Sequence, residues 1–224
     1  AQNENPEVIK YLFENMDFDK YNNFDNDYLS PLGKAVLAGK NVEIIKLFHE
    51  KGINFSELDK NHANLLQISL KNSNINIFKY LLSLNIFDIN YEDINGNTIV
   101  HYAAEHNTNN EIIIELRKIK CDFLKRNLKG LSALHLAAKN PEDKILKKIL
   151  NYHLYSDINE IDNNELSAIY YACMSGNEES IDILLHCGAN LKQLGPNGEN
   201  CLIFCAKENN IRVLQYLINK FFFT

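Results

Sequence analysis

The stretch Asn127–Leu150, NLKGLSALHLAAKNPEDKILKKIL, holds a turn and two helix patterns in 24 residues. Lys129-Gly130 is the turn signal. A short helix is expected over Ser132–Lys139. Asn140-Pro141 interrupts it, because a proline pushes the residue before it out of helical geometry. A second helix then carries Ile145, Leu146, Ile149 and Leu150 at the i, i+1, i+4, i+5 spacing of an apolar stripe. Two helices this short cannot bury that stripe alone, so the unit needs neighbours of the same shape.

The rest of the chain supplies them. Ser132 aligns with Ser30, Asn64, Thr98, Ser167 and Asn200, at spacings of 34, 34, 34, 35 and 33 residues along the chain. All six are Ser, Thr or Asn, the residues whose short side-chain oxygen caps an unpaired amide at a helix start. Five positions further on stand Ala35, Ser69, Ala103, Ala137, Ala172 and Cys205, all small. Small residues there let the first helices of adjacent units pack closely. Second-helix stripes recur as Ile44, Ile45, Phe48; Ile77, Phe78, Leu81, Leu82; Ile112, Ile113, Leu116; Ile181, Leu184, Leu185; and Val213, Leu214, Leu217, Ile218.

Thr98–Ala104, TIVHYAA, and Ser132–Ala138, SALHLAA, resemble the T-P-L-H-x-A-A signature of ankyrin repeats. Asp93–Thr98, DINGNT, is similar to that family's entry turn, and Ser175–Asn190 is similar to its second helix and exit. The resemblance implies an all-α fold: a right-handed ankyrin-repeat solenoid of stacked helix-turn-helix units joined by β-hairpin-like turns. Residues 1–224 then form a single ankyrin repeat domain. A partial first repeat covers 1–22, and repeats follow over 25–55, 59–90, 93–123, 127–159, 162–191 and 195–224. The chain departs from the family in two columns. The family histidine is replaced by Gly33, Gln67, Tyr170 and Ile203, and the glycine between helices by Ser73, Asn107, Pro141 and Asn209. Less regular turns are expected there.

Composition narrows the function classes. The net charge of -6 and pI near 5.7 count against a nucleic-acid surface, which needs a basic stripe. Lys118, Lys120, Lys125, Arg126 and Lys129, followed by Lys144, Lys147 and Lys148, have two readings, a local basic patch or, as charge runs usually are, a solvated polar face. The abundance of Asn, Ile and Lys reads as codon bias of an AT-rich genome rather than as chemistry. Five cysteines show no CxxC pair: Cys201 and Cys205 lie four apart on one expected helix, while Cys121, Cys173 and Cys187 stand alone. That set suits buried thiols in a reducing compartment, with no metal site. His101 and His135 occupy the family's T-x-x-H position, which ties neighbouring repeats. His49, His62, His106, His153 and His186 share no ligand spacing. No phosphate loop, nucleophile elbow or membrane-length apolar run is present.

Two segments invite expectations about the ends. Asn5–Phe13 reads as a lone second helix with a stripe of Val8, Ile9, Leu12 and Phe13, which predicts further residues upstream. Phe221-Phe222-Phe223 is an aromatic end. Three readings stand: further chain covers it, a partner or second copy covers it (self-association), or it folds back on the last helix.

The resemblance implies a non-enzymatic protein–protein interaction scaffold that uses its turn tips and concave helix face, with no cofactor. It implies protein partners, no nucleic acid and no membrane insertion. The alternative is a targeting or substrate-recruiting arm of a larger enzyme or of a secreted microbial effector. A cytoplasmic location is expected, or the host cytosol for an effector. Carried over residue by residue, the tip positions are Lys60, Asn61, Ile94, Asn95, Asn97, Leu128, Lys129, Leu131, Asn163, Asn164, Leu166, Asn197 and Glu199. The helix positions are Lys71, Asn72, Glu105, His106, Lys139, Asn140, Met174, Ser175, Lys207 and Glu208. Leu128, Leu131, Leu166 and Met174 carry the most information, as either a contact patch or side chains packed under the next tip.

Overall fold

The computed structural model describes residues 6–15 and 24–222, with side chains at all of these except positions 6, 9, 12, 13, 221 and 222. The expected stripe residues Ile9, Leu12 and Phe13 and the aromatic end Phe221–Phe223 therefore lie outside the described side chains. The chain divides into two compact units, Ala1–Tyr102 and Ala103–Thr224.

The first unit holds α1 (Pro6–Asn15), α2 (Pro31–Ala38), α3 (Val42–Glu50), α4 (Leu65–Ile68, extended by a 3-10 turn, Ser69–Lys71), α5 (Ile75–Ser83) and the opening of α6 (Ile99–His106). Here α2 packs on α3 and α4, α3 on α5, and α4 on α5. The second unit holds α7 (Glu111–Lys118), α8 (Ala133–Lys139), α9 (Asp143–Asn151), α10 (Ala168–Ser175), α11 (Glu178–His186), α12 (Cys201–Lys207) and α13 (Ile211–Phe222). In it the first helices α8, α10 and α12 stack in series, and the second helices α7, α9 and α11 do the same. The fold class is the expected one: all-α, built from stacked helix-turn-helix repeats. Among the described residues β pairing is limited to the isolated bridges Leu58–Asn64 and Ile161–Ser167, which close turns.

The local causes follow the period. Ser30, Asn64 and Asn200 cap α2, α4 and α12 with their side-chain oxygens. Pro31 follows Ser30 at the first helical position, where its missing N–H costs nothing. Gly39 and Gly176 end α2 and α10 in the left-handed conformation. Every stripe residue of α9, namely Ile145, Leu146, Ile149 and Leu150, is buried. Ala133, Ala137, Ala138, Ala168 and Ala172 are fully enclosed in the first-helix stack, where alanine's small side chain permits close approach.

Candidate functional site

The turn tips are built by one repeated device. At Asp25, Asp59, Asp93, Asn127 and Asp162 a side-chain Oδ1 accepts two backbone N–H groups, from residues two and four further on. This is an Asx turn, which fixes the tip backbone without partner contacts. The second oxygen is held too. Asp59 takes Lys71 Nζ at 2.9 Å, Asp93 the Tyr102 hydroxyl at 2.9 Å, and Asp162 the Tyr171 hydroxyl at 2.6 Å. Three residues after each anchor the chain turns left-handed: Tyr28, His62, Gly96, Gly130 and Glu165 have φ between 59° and 76°. Backbone bonds join successive tips. Lys60 and Ile94 donate to Asp27 and Asn61 in the first unit, and Asn163 donates to Lys129 in the second.

On this frame the expected tip residues separate. Lys60 is exposed and pairs with Asp27 at 2.7 Å. Asn61 and Asn95 are half-buried, and Asn97 bonds the Asp93 carboxylate. Ile94 and Leu128 stand out in solvent, Leu128 at 70% exposure. Lys129, Asn163, Asn164 and Asn197 are exposed, and Asn163 donates to the Leu128 carbonyl at 3.0 Å. Glu199 is half-buried and pairs with Lys207.

Leu131 and Leu166 do not belong to an accessible patch: each is 8% exposed. Each sits one residue before a helix cap, Ser132 or Ser167, the slot where an apolar side chain folds over the first helical turn. Their N–H groups also bond the tip anchor, which turns the side chains inward. Alanine at either would cost core packing rather than partner contact.

The helix positions separate likewise. Met174 is 45% exposed, and Glu208 and Lys207 face solvent. Glu105 pairs with Lys139 at 2.7 Å and lies 3.6 Å from His106 Nε2. Lys71 is half-buried, bonded to Asp59 and set over the Tyr102 ring. Asn140 is fully enclosed, and its amide donates to the carbonyls of Ala104 and Asn107 at 3.1 Å each. Asn72 donates to Val36, Asn74 to Gly39, Asn177 to Pro141 and Asn210 to Cys173. Ser175 Oγ donates to Ala172 at 2.9 Å. The asparagine richness thus has a structural use, because these amides tie consecutive repeats.

The histidine column shows the same economy. His135 Nδ1 accepts the Ser132 N–H at 3.2 Å, and its Nε2 donates to the Glu160 carbonyl of the next repeat at 3.1 Å. Gln67 does both tasks in its repeat, accepting from Asn64 and donating to Tyr91 and Asn97. The Tyr170 hydroxyl donates across to Gln193 and Glu199. Gly33 makes room instead: a Cβ there would lie 2.5 Å from Glu57 Oε1. Burial raises the Glu57 carboxyl above its ordinary range, and nearby Ser30 and Gly33 groups counteract this only in part. Burial likewise lowers His135 below its ordinary value, although the Glu160 carboxylate pulls the other way. Glu160 is held by Ser132, Ser156 and Arg126, the last at 3.0 Å.

The basic cluster is largely matched by carboxylates and rings. Arg126 meets Glu160, Lys118 meets Glu115, Lys147 meets Asp143 and Glu179, and Lys148 lies over Tyr152. Among the described residues, the donors close enough to share an ion are Cys173, Cys201 and Cys205. Sequence spacing linked only the last two. Laying the repeats over one another would have placed Cys173 opposite them. No described helix is long and apolar enough to cross a membrane.

A family profile described as ankyrin repeats matches three times, over residues 1–93, 84–162 and 134–223. The chain is 28% identical over 151 residues to the human neurogenic locus notch homolog protein 1, covering 67% of this chain and 6% of that protein. It is 28% identical over 181 residues to a putative ankyrin repeat protein of Acanthamoeba polyphaga mimivirus, covering 80% of this chain and 24% of that one. It is 30% identical over 115 residues to a probable serine/threonine-protein kinase of Dictyostelium discoideum, covering 50% of this chain and 13% of the kinase. The chain thus spans less than a quarter of the length of each of these relatives. With profile matches running along almost its full length and the repeat geometry described above, the chain belongs to the ankyrin-repeat family.

Proposed function

We propose that residues 1–224 form one ankyrin-repeat domain that acts as a non-enzymatic protein-binding scaffold and engages its partner through the turn tips. Ankyrin repeats are generally protein–protein interaction modules and typically non-catalytic. The observation that carries the reading is Leu128, a large apolar side chain held 70% exposed on a tip. The tip backbone beneath it is already ordered by Asn127 and by the neighbouring Asn163. A preformed tip reduces the ordering cost of association, so a few apolar contacts suffice. Exposed Lys129, Asn163 and Asn164 supply a polar rim around it.

The test is affinity capture by the wild-type chain and by Leu128→Asp, with Lys144→Ala on the second-helix face as control. A partner retained by wild type and control and lost by Leu128→Asp supports the reading. A partner that binds all three equally removes Leu128 and its tip from the interface.

A second reading is favoured by the small share of each relative that the chain covers, the Dictyostelium kinase included. In it the repeats are the recruiting arm of a longer protein. The same tips would then select what the attached activity meets.

A further inference from the structure

Three of the five cysteines converge in the second unit. Cys173 lies on α10, and Cys201 and Cys205 lie one turn apart on α12, which packs against α10. The Cys173 and Cys201 sulfurs are 2.8 Å apart. All three sulfurs fall within 4.8 Å of one another, and all three residues are buried. The repeat itself does not call for sulfur there. Ala133 and Ala168 occupy the position of Cys201, Ala137 and Ala172 that of Cys205, and Ala104 and Ala138 that of Cys173.

We propose that Cys173, Cys201 and Cys205 form a three-sulfur site for a soft monovalent metal ion, copper(I). Thiolates select copper(I), zinc or iron–sulfur clusters over harder ions. Structural zinc wants four ligands and catalytic zinc an open position for water. Iron–sulfur clusters are held by four cysteines. Among the described residues the cluster offers three donors with no fourth His, Cys, Asp or Glu ligand within reach, and it is shut off from solvent. Copper(I) is the ion of that set that is content with three sulfurs and no water. Each sulfur that binds as thiolate releases its proton to solvent, and no electron is transferred.

The experiment uses the full chain, reduced and kept free of oxygen. Copper(I) is supplied as its coloured bathocuproine disulfonate complex, and zinc is titrated in parallel. The wild type is expected to withdraw about one equivalent of copper(I), with X-ray absorption showing sulfur neighbours alone. Cys201→Ala and Cys205→Ala should each weaken binding by more than the roughly 10- to 100-fold that loss of an outer-shell group costs. Alanine already fills these positions in other repeats, so circular dichroism should show both variants folded. Cys187→Ser, which alters an exposed thiol, should bind as the wild type does. Copper uptake that survives Cys201→Ala and Cys205→Ala, uptake lost with Cys187→Ser, or tighter binding of zinc than of copper(I) would each overturn the proposal.

Discussion

Glu165→Gly should stabilise the protein and Gly130→Ala should destabilise it, although both change the same position of neighbouring tips. Gly130 has φ of 76° and Glu165 of 62°. A side chain in that left-handed region costs roughly 1–2 kcal/mol. Glycine in place of Glu165 removes this strain and adds about 0.5–1 kcal/mol of backbone entropy cost, a net gain of about 0.5–1 kcal/mol. Glu165 is exposed, and its turn bond from N–H to the Asp162 carbonyl at 3.1 Å survives the change. Gly130 is the opposite case. A Cβ there would meet Asn163 Oδ1 at 2.4 Å and the Asn163 backbone nitrogen at 2.8 Å. To the conformational cost is added an overlap of about 1–3 kcal/mol, offset by about 0.4–1 kcal/mol from a stiffer unfolded chain. The expected loss is about 2–4 kcal/mol. Urea unfolding followed by far-UV circular dichroism reads both. Equal shifts in one direction, or a Glu165→Gly variant no more stable than wild type, would refute the strain account.

Asn140→Ala leaves the Ala104 and Asn107 carbonyls without their buried donor and should cost about 1–3 kcal/mol in the same assay. His135 has its pKa lowered by burial, so the unfolded chain takes up a proton near 6.5 while the folded one does not. Stability from this residue is complete above that value and falls as pH drops through it. His135→Gln, which copies the natural Gln67 of an earlier repeat, should flatten that slope in urea midpoints taken between about pH 7.5 and 5.5. Glu57 behaves with opposite sign. Its folded pKa is raised, so its ionisation weakens the fold as pH climbs above the ordinary value of 4.5. Glu57→Gln should therefore raise the urea midpoint at neutral pH and lose that advantage near about pH 4. No gain at neutrality would show that the carboxylate is solvated well enough in place.

The repeat was legible from residue identity because its periodicity is enforced by packing. The Ile145–Leu150 stripe and the alanine columns mark buried faces directly, since a polar residue in either would be costly. The tips were less legible. Leu128 and Leu131 are three residues apart and alike in chemistry, yet one is exposed and the other buried. What separates them is the direction of the backbone after Asn127, set by hydrogen bonds and a left-handed residue rather than by hydrophobicity. The bridging roles of Gln67 and Tyr170 were hidden for a related reason. Each replaces a histidine with a group of different shape that reaches the same carbonyls, and substitution tables record only the change of type. The Cys173 pairing needed distance across repeats, which linear spacing does not carry.

The asparagine amides that join repeats address backbone carbonyls: Val36, Gly39, Ala104, Asn107, Leu128, Pro141, Cys173 and Gly188. Every residue type offers that oxygen. The receiving repeat can therefore exchange its outward side chains without disturbing the bond, and the donor repeat needs to keep only its own amide. Cohesion and recognition are written in different atoms. A lineage carrying this scaffold is free to rewrite the surface a partner reads while the joints between repeats stay the same.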